Sequence, residues 1–125
     1  MPLPDSPQNM GVMFLLKTRL SNTTAEDITN KTDIKSSSFD GSRPTKMLIH
    51  GYKFAGGKKL APWVPRMAEA MLSKEDVNVI MVDWVKGAKV FYDNAVSNTR
   101  IVGAIINKYL SNMVVSSRCF NSTCL

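Results

Sequence analysis

A chain of 125 residues, 44% hydrophobic and 21% charged, is long enough for one domain, and its balance excludes a disordered or fibrous polypeptide. The formal net charge of +6 admits an anionic partner, yet the basic residues are scattered from Lys17 to Arg118, the tightest group being Lys58-Lys59 with Lys53 and Arg66 nearby. There is no run of five and no interleaved aromatic residue, so a solvated basic surface is expected and nucleic acid is not expected as a partner.

In chain order, the start Met1-Pro2-Leu3-Pro4-Asp5 lacks a basic stretch followed by an apolar one and does not read as a signal peptide. No segment approaches the ~20 apolar residues of a membrane span. Val12 to Leu16, ending at Lys17, has the length of a strand. Ser21 to Arg43 is polar and without apolar periodicity; it reads as a long loop with a short helical turn at Ala25 to Ile28. Thr45 to Ile49 is the second strand, and it ends at His50-Gly51, where glycine permits a sharp turn. Tyr52 to Lys59 is a loop. Trp63, Met67 and Met71 then recur every four residues and predict a helix with this apolar face, Pro62 at its start and Pro65 in its first turn. Val77 to Trp84 is a β-branched run suited to a strand buried on both faces, with a turn at Lys86-Gly87. Asn98 to Val115 is the clearest helix, with Asn98 near its cap and Ile101, Val102, Ile105, Ile106, Tyr109, Leu110 and Met113 on its apolar side.

Strands alternating with helices predict an α/β fold built on a mostly parallel sheet. After the last helix another strand is due, but 116–125 is polar and has no strand pattern. The expected organisation is a partial domain over 1–115 and a divergent tail over 116–125. Cys119 and Cys124 lie in that tail at a spacing that fits no zinc or thioredoxin motif, and their pairing is left open. Asn22, Asn30 and Asn121 each begin an N-x-[ST] triplet; three in a short chain, two of them in one polar loop, favour a secretory ancestry.

His50 is the only histidine, and no G-x-S-x-G occurs, so the chain has no serine nucleophile elbow for that histidine to serve. A His-Gly-aromatic turn after a strand can instead aim a backbone N–H at a developing oxyanion, which makes the Tyr52 N–H the candidate donor. Gly51 to Lys59 imitates a phosphate-binding loop, but the lysine register and the metal-binding hydroxyl both fail. Asp83 ends a buried strand, where α/β enzymes keep functional groups, although a carboxylate satisfying the next turn is the simpler reading. One histidine and two tail cysteines give a metal little to bind, and no cofactor is expected.

Four segments carry a family resemblance. Phe14-Leu15-Leu16-Lys17-Thr18-Arg19 resembles the F-L-L-Y-T-R strand of the pancreatic lipase family. Thr45 to Tyr52 resembles that family's strand and oxyanion turn, Val77 to Trp84 its V-N-V-I-x-V-D-W strand, and Ala95 to Ala104 its A-x-x-N-x-R-x-V-G-A helix. In order and at family-like spacing, they cover roughly 12–115. The resemblance implies an α/β-hydrolase fold of which this chain holds the N-terminal part. It also implies secreted carboxylic ester hydrolases, triacylglycerol lipases and sn-1 phospholipases, that work through a Ser–His–Asp triad at a lipid–water interface. The nucleophile serine and its triad partners lie beyond the resembling segments. The chain is therefore expected to be a fragment or truncated form that is inactive alone, with a non-catalytic lipid- or partner-binding role through an exposed sheet edge as the alternative. Ala68 and Val79 match the positions of a disulfide found in some members, which is missing here.

Overall fold

The computed structural model describes residues 2–21, 24–30, 33–52 and 59–120. The elements are α1 (Pro7–Met10), β1 (Met13–Lys17), β2 (Glu26–Asp27), α2 (Asp33–Ser36), β3 (Thr45–Ile49), α3 (Trp63–Lys74), β4 (Asn78–Asp83), α4 (Val85–Ala88) and α5 (Tyr92–Phe120). The strand order is β2-β1-β4-β3. β3 and β4 are parallel and joined through α3, the βαβ unit expected from the sequence. β1 runs antiparallel to both β4 and β2, so the described sheet is mixed. The next strand after β1 is β2, its own antiparallel neighbour, and antiparallel pairing needs no crossover.

The sheet separates two apolar layers. Side chains alternate along a strand, so Ile80 and Val82 of β4 face α5 and join Phe14, Leu16, Tyr109 and Met113. Val79 and Met81 face α3 and join Leu48, Val64, Ala68 and Leu72. β4 is thus buried on both faces, which is why its sequence is continuously apolar rather than alternating. Burying each of these aliphatic side chains stabilises the fold by about 1.5–3 kcal/mol. Ala68 and Val79, the positions of the missing disulfide, are both fully buried in the α3-side layer.

Several elements differ from the sequence expectations. The α3 period is as expected, but its buried stripe is Val64, Ala68 and Leu72, one residue along from Trp63, Met67 and Met71. Trp63 and Met67 are exposed, and Met71 only borders the core. Smaller residues on the inner stripe let the helix approach β4 closely. The Ala25 to Ile28 turn is a strand instead: Glu26 and Asp27 pair with Leu16 and Leu15, and the helical turn falls later, in α2. α5 begins at Tyr92, so Asn98 is no cap. It is fully buried, its Oδ1 accepts from the Asp5 N–H at 2.7 Å, and its Nδ2 donates to the Gly87 carbonyl at 3.1 Å. Asn98 therefore ties the N-terminal segment and α4 to α5. α5 also runs on through Phe120, into the segment read as a polar tail.

Asn78, a fully buried side chain, anchors the 37–44 loop. Asn78 Nδ2 donates to the Asp40 carbonyl at 2.7 Å, and Asn78 Oδ1 accepts from the Asp40 N–H at 3.0 Å. Asp40 in turn accepts at Oδ1 from the Ser42 hydroxyl at 2.6 Å and the Ser42 N–H at 2.9 Å, which holds its carboxyl below the ordinary value of 3.8.

Two outcomes are expected. Asn78→Ala strands the Asp40 amide and carbonyl and should cost about 2–3 kcal/mol in urea unfolding, with Asn78→Asp intermediate. Because the folded-state pKa of Asp40 is depressed, its contribution is present above the ordinary value and is lost as pH falls through the lower, folded one. Ser42→Ala should move the Asp40 midpoint upward in an NMR pH titration.

Candidate active site

Parallel strands β3 and β4 end side by side, Ile49 opposite Val82, and the carboxyl ends of parallel strands are where α/β folds place functional groups. The sequence singled out His50, Gly51 and Tyr52 here. His50 is 3% exposed and Trp84, just beyond β4, 4%. The Trp84 N–H donates to His50 Nε2 at 3.1 Å, and the Trp84 indole N–H donates to the His50 carbonyl at 2.8 Å. The two rings stack with centroids 5.4 Å apart and planes 13° from parallel. With Nε2 accepting, the imidazole carries its proton on Nδ1 and donates to the Gly51 carbonyl at 2.9 Å.

Both ring nitrogens of His50 are thus engaged with backbone groups. The histidine is a clamp that fixes the end of β3 to the start of α4, and it has no nitrogen left to take a proton from a nucleophile. Gly51 and Tyr52 follow directly from the clamp and are exposed. The Tyr52 N–H, the donor implied by the family resemblance, lies on that exposed turn.

The turn borders a cavity of about 440 Å³ whose walls include Ile49, Tyr52, Trp84, Tyr92 and Val102. Tyr52 and Tyr92 meet edge to face with centroids 5.3 Å apart. Apart from the His50 imidazole, the walls are aromatic, aliphatic, glycine and threonine, suited to an apolar group next to a polar turn. Asp83 Oδ1 accepts from the Val85 N–H at 3.0 Å, the carboxylate-to-next-turn contact of the simpler reading. Among the described residues no group of His, Cys, Asp and Glu could hold a metal, and no helix is long and apolar enough to cross a membrane.

Of the three sequons, Asn30 is exposed, whereas Asn22 and Asn121 lie outside the described residues, as does Cys124. Trp84 escaped the sequence reading as a site residue. The available signal was an indole at the end of a fully buried strand, because a buried indole N–H needs an acceptor.

Replacing the clamp should be costly in a graded way. His50→Ala leaves the buried Trp84 N–H without an acceptor and should cost on the order of 1–3 kcal/mol, with a shift in tryptophan emission. Trp84→Phe keeps the ring contact, loses one hydrogen bond and should cost less, about 1 kcal/mol. Urea unfolding of the two variants orders them.

Comparison with known proteins agrees with the α/β fold. A family model described as Lipase matches residues 2–122. Over 85% of its length the chain is 36% identical to phospholipase A1 member A of Bos taurus, and over 82% it is 40% identical to pancreatic triacylglycerol lipase of Myocastor coypus. It is also 34% identical, over 87% of its length, to inactive pancreatic lipase-related protein 1 of Canis lupus familiaris. The matched stretches are 23%, 22% and 23% of those proteins, so the chain spans under a quarter of the length of these relatives. Matched over residues 2–122 and built on an incomplete α/β sheet, this chain belongs to the Lipase family.

Proposed function

We propose that this chain supplies the first oxyanion donor and the adjoining apolar wall of a secreted carboxylic ester hydrolase that acts on lipid esters, and that the chain does not turn over esters alone. The observation that carries the reading is the Gly51-Tyr52 turn, pinned through His50 to Trp84 at the carboxyl end of β3. A donor held by buried partners needs no reorganisation when negative charge develops, and one such donor is worth roughly 10²–10³ in rate. The apolar cavity beside it suits the acyl portion of a lipid ester.

The same geometry argues against turnover by the isolated chain. No G-x-S-x-G is present in the 125 residues, and the only histidine is committed to the clamp. In serine hydrolases, binding and the oxyanion hole without the triad leave only ~10³–10⁴-fold over water. In a secretory compartment Asn22, Asn30 and Asn121 are glycosylation acceptors on this reading.

The second reading is a non-catalytic role in which the chain binds a partner through its sheet edge. It is favoured by β3, one of the two edge strands among the described residues, and by the large apolar side chain of Ile49, which is 48% exposed there.

Purified chain should release no acid from a tributyrin emulsion above the buffer rate and should not react with a fluorophosphonate probe. Stoichiometric labelling of a serine together with turnover would sink the proposal.

A further inference from the structure

The clamp at His50 hangs from a residue that needs support of its own. Trp84 gives both of its N–H groups to His50 and stands at the start of α4, a four-residue helix. A helix that short has no stability by itself. The seat of Trp84 therefore depends on what holds α4 in place, and residues 2–10 pack there, with α1 against both α4 and α5.

Polar bonds secure this segment to α5. The Ser97 hydroxyl donates to the Pro2 carbonyl at 2.6 Å. Asn98 Oδ1 accepts from the Asp5 N–H at 2.7 Å, and Asn98 Nδ2 donates to Asp5 Oδ2 at 2.8 Å. The same Nδ2 donates to the Gly87 carbonyl at 3.1 Å, which fixes α4 to the same turn of α5. Ser97 and Asn98 are both buried, and a buried polar group that loses its partner is costly. Apolar contact then joins the segment to the clamp. Met10, the last residue of α1, is 1% exposed and packs with Trp84, Ala88 and Val102. A Cβ at Gly87 would lie 3.2 Å from Met10 Sδ and 3.4 Å from Trp84 Cε3, so the two side chains flank Gly87 closely. Contact thus runs without a gap from the 2–10 segment through Gly87 and Trp84 to His50 and the Gly51-Tyr52 turn.

We propose that residues 2–10 form a strap that positions the oxyanion turn, with Met10 and Asn98 as positioning residues: they hold α4 on α5 and thereby seat the Trp84 indole on His50. The strap rests on the reading of Gly51-Tyr52 as the oxyanion turn, and its coupling to that turn is observable with no ester present. The competing arrangement is that β4, buried on both faces, seats Trp84 without help.

NMR of the full 15N-labelled chain separates the two. The chain has two tryptophans, so Trp63→Phe assigns the Trp84 indole signal. Met10→Ala should speed hydrogen exchange of the Trp84 indole N–H roughly tenfold or more relative to the buried Ile80 amide, through local opening. It should also move the His50 ring nitrogens and the Gly51 and Tyr52 amides. Met10→Leu refills the space and should restore the parent signals. Asp5→Ala removes a half-buried partner of Asn98 and should shift the same signals in the same direction, so it decides the outcome where Met10→Ala does not fold. Asn78→Ala, at the other end of β4, controls for general loss of stability and should leave the ratio of Trp84 to Ile80 exchange no higher than in the parent. Trp84, His50 and turn signals that keep their parent values in Met10→Ala and Asp5→Ala overturn the strap and leave Trp84 to β4. Trp84 exchange that rises only in step with Ile80 overturns it as well. Serine labelling with ester turnover sinks the hydrolase reading of this chain without touching these signals.

Discussion

The double burial of β4 is the constraint on which the rest depends. A strand with Val79 and Met81 on one face and Ile80 and Val82 on the other needs cover from both sides. That fixes α3 and α5 to opposite faces of the sheet, and it leaves only the strand's two edges for pairing. β1 takes one edge antiparallel and β3 takes the other in parallel. Once these positions are set, the carboxyl ends of β3 and β4 must lie together, and whatever follows them must share one small volume.

That volume is organised by polar groups that packing alone would leave unsatisfied. The chain leaves β4 at Trp84, whose backbone and indole N–H groups are both buried and both need acceptors. His50 provides the two acceptors, one on its ring and one on its carbonyl. The histidine's remaining ring nitrogen then holds the Gly51 carbonyl, and the direction of the exposed turn follows. A single histidine in a lipase-family chain invites a catalytic reading; its hydrogen bonds make it a scaffold for the turn instead. Substitution at His50 would therefore act on the turn through geometry, not through proton transfer.

Much of this was legible in the sequence because the apolar patterns are strong. Val77 to Trp84 reads as a doubly buried strand, Thr45 to Ile49 has the observed bounds, and the α/β class follows from the alternation of elements. What failed to read has physical reasons. The α3 stripe was misplaced by one residue because Trp63 and Met67 are larger than Val64 and Ala68, while close helix–sheet approach favours the smaller pair. Asn98 resembles a cap because asparagine favours caps, but here its amide serves three chain segments inside a longer helix. The strand at Glu26 and Asp27 carries no β signal of its own: two acidic residues are placed by their pairing with β1. The antiparallel setting of β1 is likewise invisible to periodicity, which reports faces and not directions.

The same geometry decides which strand end can meet a ligand. Both edges of β1 and of β4 are occupied, so among the described residues the open edges of the sheet are the outer sides of β2 and β3. Of these two strands, β3 ends at the His50 clamp, so the exposed Gly51-Tyr52 turn and the mouth of the 440 Å³ cavity lie at the end of an edge strand. The clamp holds that turn from one side, through the buried Trp84, where the described sheet offers a neighbour.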